Sequence, residues 1–168
     1  SLPEARGGLG LGMAATARIA QRLGYAGYFE PYVTAGAMPL AALVTCGGSE
    51  AARLIDAIIA GRTLVTIAWQ PPDGRFGTDD TAVVATARAD GLALDGECRF
   101  VSVPQAQAFI VSARRDGVPL LAIIDADQRG VTLQRERAAD GSSLARIGLR
   151  GVYAARVLAE GPEANVAL

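Results

Sequence analysis

Histidine and lysine are both missing from this sequence: every one of its 16 cationic side chains is an arginine. That removes histidine-activated nucleophiles, histidine metal sites and lysine Schiff bases together. Any chemistry must use carboxylates, hydroxyls, arginine or a bound cofactor. Cysteine is scarce as well. Cys46 and Cys98 stand far apart and form no CxxC pair, so they read as buried reduced thiols and not as metal ligands. The longest apolar run, residues 37–44, is interrupted by Pro39 and is far too short to span a bilayer. The opening Ser1-Leu2-Pro3-Glu4-Ala5-Arg6 lacks the basic-then-apolar order of a signal peptide, and a cytoplasmic protein without membrane association is expected. A net charge of −1 excludes a general nucleic-acid binder, because neutralising phosphates needs clustered basic surface.

Apolar residues are plentiful, at 51% with a mean hydropathy of +0.27. That is more apolar material than one small core requires. Part of it reflects alanine richness, and part implies a large surface buried against something else.

The period of the apolar residues changes along the chain. Residues 11–23 carry apolar side chains at 11, 15, 19 and 23, a helical spacing stopped by Gly24. Residues 35–46 read as a second helix ended by Gly47-Gly48. Ser49 and Glu50 then suit the positive start of a third helix, 50–60, which Gly61 closes. After Arg62 the texture becomes that of short strands: 64–69, 82–89, 92–94, 98–103, 109–113, 120–124, 131–134 and 146–152. Turn signals separate them at Pro71-Pro72-Asp73-Gly74, Asp90-Gly91, Asp95-Gly96, Asp116-Gly117 and Asp140-Gly141. Asp90-Gly91 in particular predicts a tight hairpin with positive φ at both turn residues. Strands without helices between them exclude a parallel α/β sheet. The expected fold is α+β: a small helical bundle, residues 1–62, packed on an antiparallel β-barrel or sandwich, residues 63–168.

Two local motifs carry little. Gly10-Leu11-Gly12-Met13-Ala14-Ala15 fits G-x-G-x-x-A, but a dinucleotide fingerprint must follow a strand and none precedes Gly10. Arg114-Arg115 and the six arginines from Arg129 to Arg156 offer contacts for a phosphorylated ligand, yet also suit solvated strand faces.

The informative feature is a series of segments in order. Leu2-Pro3-Glu4-Ala5-Arg6-Gly7-Gly8-Leu9-Gly10 resembles the PEEYGGLGL segment of acyl-CoA dehydrogenases. Gly47-Gly48-Ser49-Glu50 with Ala60-Gly61 resembles that family's G-S-E stretch. Ile67-Ala68-Trp69-Gln70-Pro71 sits where A-x-T-E-P stands in the family, and Gly77-Thr78-Asp79 where G-S-D stands. Thr86 to Glu97 is similar to T-x-A…L-n-G-x-K, Phe100-Val101-Ser102 falls on W-I-T or F-I-S, and Gly130-Val131-Thr132 and Gly151-Val152 match later strands. The likeness covers nearly the whole chain.

In that family a helical wall and a β wall enclose FAD and the acyl thioester. A flavin needs backbone N–H donors at its pyrimidine edge, a hydroxyl near N5 and a flat side chain against its ring. The resemblance assigns the edge donors to the backbone of Ala68, Trp69 and Gln70, the hydroxyl to Ser102, the aromatic wall to Phe100, and a phosphate or pantetheine contact to Thr78. It also implies an acyl-CoA substrate and a homo- or hetero-oligomer. Four departures accompany it: Trp69 replaces a threonine, Gln70 a glutamate and Cys98 a lysine, and the loop from Pro71 to Gly77 is a few residues longer. The family's catalytic base is a glutamate on a C-terminal bundle. That bundle is expected to lie outside this chain, and no base is assigned here. The expected function is FAD-dependent α,β-dehydrogenation of an acyl-CoA. The alternatives are a non-catalytic partner subunit that has lost FAD, and a flavin monooxygenase-type relative.

Overall fold

The structure is a computed structural model that describes residues 2–28, 31–77, 80–154 and 156–168. A 3-10 turn, Glu4–Arg6, precedes helix α1, Met13–Tyr25. A π-helical turn, Tyr32–Ala37, runs straight into α2, Met38–Cys46, and α3, Gly48–Ile59, follows after one residue. Sequence spacing predicts a continuous second helix here. The wider π turn replaces its first part, and such turns concentrate at functional sites.

The eight strands are β1 Val65–Ala68, β2 Val84–Arg88, β3 Gly91–Ser102, β4 Ala108–Arg115, β5 Val118–Asp125, β6 Val131–Arg137, β7 Ser143–Ala154 and β8 Arg156–Glu160. They form one sheet in the order β6-β7-β3-β2-β4-β5-β8, with β1 paired to β4 off this path. Pairing is mostly antiparallel; β1 and β2 both run parallel to β4. The fold is therefore α+β as expected, but the sheet is open and not a closed barrel. A short helix α4, Pro162–Val166, ends the chain and, like β8, carried no clear signal in the sequence.

Two apolar clusters explain the burial pattern. Phe109, Val111 and Ala113 of β4, with Leu120, Ala122 and Ile124 of β5, face a core made by the sheet with itself. Their neighbours Ala108, Ile110, Leu121 and Ile123 face α2, α3 and α4. Both faces of β4 and β5 are thus covered, which is why these strands read as unbroken apolar runs and not as alternation. Fully burying a side chain such as Phe109 or Ile110 contributes about 1.5–3 kcal/mol.

Two turn signals resolve differently from their sequence reading. Arg88 pairs with Gly91, so the hairpin loop is Ala89-Asp90 and not Asp90-Gly91, and neither loop residue has positive φ. Gly91 sits instead beneath the Tyr153 ring, whose hydroxyl donates to the Asp90 carbonyl. Asp95-Gly96 is no turn at all. The strands expected at 92–94 and 98–103 merge into one long strand, β3, which ends at Ser102 and has a register shift between Leu94 and Gly96. The Asp95 carboxylate accepts the Gly151 N–H at 2.7 Å, holding the irregularity on β7. A Cβ at Gly96 would lie 2.3 Å from the Ala82 carbonyl oxygen, so only glycine permits this approach.

Candidate functional site

A groove of about 200 Å³ opens where three elements meet: the π turn and the start of α2, the end of β1, and the end of β3. Thr34 and Met38 line it from the helical side, Thr66, Ile67, Trp69 and Gln70 from β1 and its extension, and Phe100 and Ser102 from β3. Four of the residues singled out in the sequence, Trp69, Gln70, Phe100 and Ser102, are brought together here. Ala68 is fully buried in the sheet core, so only its backbone is available. Thr78 lies outside the described residues.

Strand alternation positions the β1 side chains. Ile67 and Trp69 share the face toward the helices and pack on that cluster, while Ala68 points to the opposite core. Trp69 is only half-buried. Its ring meets Phe76 edge-on, with centroids 6.2 Å apart and planes at 61°, and it forms part of the groove wall. Thr66 donates its hydroxyl to the Thr34 carbonyl at 3.1 Å, fastening the π turn to β1. That contact satisfies a buried polar group and fixes one side of the groove.

The opposite wall is irregular. On β3 the partners are Cys98 with Ile147 and Val101 with Ala145, so Arg99 and Phe100 together oppose the single residue Arg146. This is a β-bulge, which re-aims a side chain. Phe100 has φ +56° and Val103 φ +59°, and both conformations are uncommon for bulky or β-branched residues. The bulge turns Phe100 toward the groove, where it remains 37% exposed. The Arg99 N–H donates to the Gln70 carbonyl at 2.9 Å and joins the two walls.

A second cavity of about 290 Å³ adjoins the groove and shares Met38 and Ile67 with it. It lies between α1 and α2, and Thr16 is the one polar side chain among residues that include Met13, Ala17, Val33, Ala41 and Leu168. Thr34, Met38 and Thr66 were not singled out by sequence reasoning. Thr34 reaches the groove through the π turn, which has no signature in the apolar spacing.

The cysteines are both free. Cys98 is buried, and burial first, with the Glu97 charge second, pushes its thiol up to about 12. Cys46 is half-buried and raised for the same reason, with Glu163 contributing. Neither lines the groove. Among the described residues no helix is long and apolar enough to cross a membrane.

No protein-family model and no curated protein matches the sequence. Solved structures do match. A variant of the Tcur3481-Tcur3483 steroid ACAD is similar with a TM-score of 0.81 and 27% identity, over 97% of this chain and 44% of that one. The ChsE4-ChsE5 complex from Mycobacterium tuberculosis gives 0.85 and 25%, over 99% and 45%. An acyl-CoA dehydrogenase complexed with FAD from Bacillus anthracis shares the fold, with a TM-score of 0.82 at 22% identity, over 99% of this chain and 30% of that one. In each case the chain spans less than half of its relative. On fold, and on the sequence identity that accompanies it, this chain is similar to acyl-CoA dehydrogenases over nearly its whole length.

Proposed function

We propose that this chain forms two walls of a flavin cleft in an acyl-CoA dehydrogenase assembly. The observation that carries the reading is the convergence of Trp69, Gln70, Phe100 and Ser102, from two separate segments, on one groove. The groove is smaller than the roughly 300–1,000 Å³ of a complete cofactor site, so it suits one end of a planar ring and not the whole of FAD. Its donor set fits that end: the Ser102 hydroxyl, the backbone of residues 68–70, and the flat face of Phe100. Thr78 is the proposed contact to phosphate or pantetheine. FAD, when bound, supplies the hydride acceptor for α,β-dehydrogenation of an acyl-CoA. The adjoining apolar cavity between α1 and α2 offers the acyl group a water-poor surface.

The remaining walls come from other polypeptide, within the same gene product or in a partner subunit. None of the residues of α1 is buried. Leu9, Met13 and Tyr25 are 78%, 67% and 90% exposed, an apolar surface of the kind that partners cover. Alone, the 168-residue chain therefore holds FAD weakly.

A second reading is favoured by Trp69. Its indole occupies groove space, and fitting a ring beside it costs about 1–3 kcal/mol if the wall cannot yield. A partner subunit without flavin, stabilising an active one, would carry such a residue. The two readings separate by experiment. The full-length gene product is purified with whatever accompanies it, its visible spectrum is recorded, and acyl-CoA-dependent bleaching is followed. Flavin bound at this subunit supports the first reading. A colourless subunit beside a flavin-bearing partner supports the second, and a complex with neither flavin nor acyl-CoA activity contradicts both.

A further inference from the structure

The bulge that presents Phe100 is held by more than its own backbone. The Arg99 guanidinium lies over the Phe100 ring, 5.1 Å from its centroid. Its Nε and Nη2 donate to one oxygen of Glu136 on β6, at 3.4 and 3.5 Å. The other Glu136 oxygen is 3.7 Å from Arg146 Nε, which is 3.4 Å from Glu97. A line of alternating charges thus crosses β3, β7 and β6 and ends on the face of one groove residue. The Arg99 and Glu136 side chains are 34% and 25% exposed, so such pairs add little to stability. Orientation is where a planar guanidinium matters: it pairs with a carboxylate at its edge while stacking on a ring with its face.

We infer that Arg99 is a positioning residue, which through its stack on Phe100 and its pairing with Glu136 sets the aromatic wall of the groove. The inference rests on the flavin-cleft reading for its functional consequence, but the positioning itself does not. A residue at φ +56° persists only where its surroundings over-determine it. Here the surroundings are the Arg99 N–H bond to Gln70, the stack, and the ion pair with β6. Removing the stack and the pair frees the ring without emptying the core, because Phe100 is not buried.

The test uses the full chain labelled with 4-fluorophenylalanine, which gives four fluorine resonances for its four phenylalanines. The Phe100 signal is assigned by its loss in Phe100→Leu. In Arg99→Met this signal moves and broadens while that of buried Phe109 holds, and the urea midpoint stays close to the parent's. Arg99→Lys recovers the signal only in part, and Glu136→Gln moves it in the same direction as Arg99→Met. Lumiflavin affinity, measured by fluorescence titration, falls about two- to fivefold in Arg99→Met. An unmoved Phe100 signal in both Arg99→Met and Glu136→Gln overturns the inference. A moved signal in a chain that takes up no lumiflavin supports the positioning and contradicts the cleft reading, so the two failures are distinct.

Discussion

The Cys98 thiol is buried in the sheet core, and burial holds it in its protonated form. With its pKa pushed up to about 12 by burial, it keeps its proton through the neutral range. Cys98 should fail to react with a thiol-specific reagent in the folded protein and react at once in urea, while half-buried Cys46 reacts slowly. The sign of the pH effect follows from the raised value. The native thiol stays protonated where an unfolded one ionises, so its contribution is complete below the unfolded pKa and is lost as pH rises toward the folded one. Ser102 makes a different kind of prediction. One neutral hydrogen bond is worth about 0.5–1.5 kcal/mol net, so Ser102→Ala should weaken flavin binding by that amount, read by titration, with the urea midpoint unmoved. Groove residues such as Ser102 and Phe100 were legible because their order along the chain matches a known pattern. Arg99 was not, since its meaning depends on Glu136, which only sheet pairing brings near.

Strands and helices were legible where apolar spacing alone decides them, as in α1, α3, β4 and β5. They were not where backbone geometry departs from a simple period. The π turn at Tyr32–Ala37 replaces the first part of the helix expected over 35–46, and the irregularities of β3 coincide with a turn signal and a break between expected short strands. Gly117 needs glycine for its φ alone, whereas Gly96 combines a φ of +143° with a close approach. At Gly96 a Cβ would meet the Ala82 backbone at 2.3 Å, so Gly96→Ala must displace β3 from that backbone and should cost about 1–3 kcal/mol. At Gly117 nothing lies within 4 Å of a Cβ, and the φ of +81° alone is strained, so Gly117→Ala should cost about 1–2 kcal/mol. Urea denaturation checks both. The Gly96 variant should also perturb amide signals of residues 82–83, and the Gly117 variant only those of its own hairpin. Equal, purely local effects would contradict the close approach described for Gly96.

At the scale of the whole molecule, the helices are tied to the sheet by packing, by the Thr66–Thr34 hydrogen bond and by a charged link. Glu50 at the start of α3 pairs with Arg53 at 2.7 Å and reaches Arg156 on β8 at 3.5 Å, while Arg156 also meets Asp125 at 2.8 Å. The Arg53 hydrogen bond, followed by the charges of Arg53 and Arg156, holds the Glu50 carboxyl below its usual range. Its contribution is present above the unfolded carboxylate pKa and is lost as pH falls through the lower folded value. Because the pair is partly exposed, Glu50→Gln should cost no more than about 1 kcal/mol at neutral pH and less in acid, by urea titration at each pH. The groove between these layers is proposed to receive a flavin ring. The chain's single tryptophan, Trp69, lines that groove and serves as its own probe. Titrating FAD into the chain while following Trp69 emission should give saturable quenching with weak affinity, reduced in Phe100→Ala and Ser102→Ala and lost on gel filtration. Quenching that never saturates, or that is the same in both variants as in the parent, would contradict the claim.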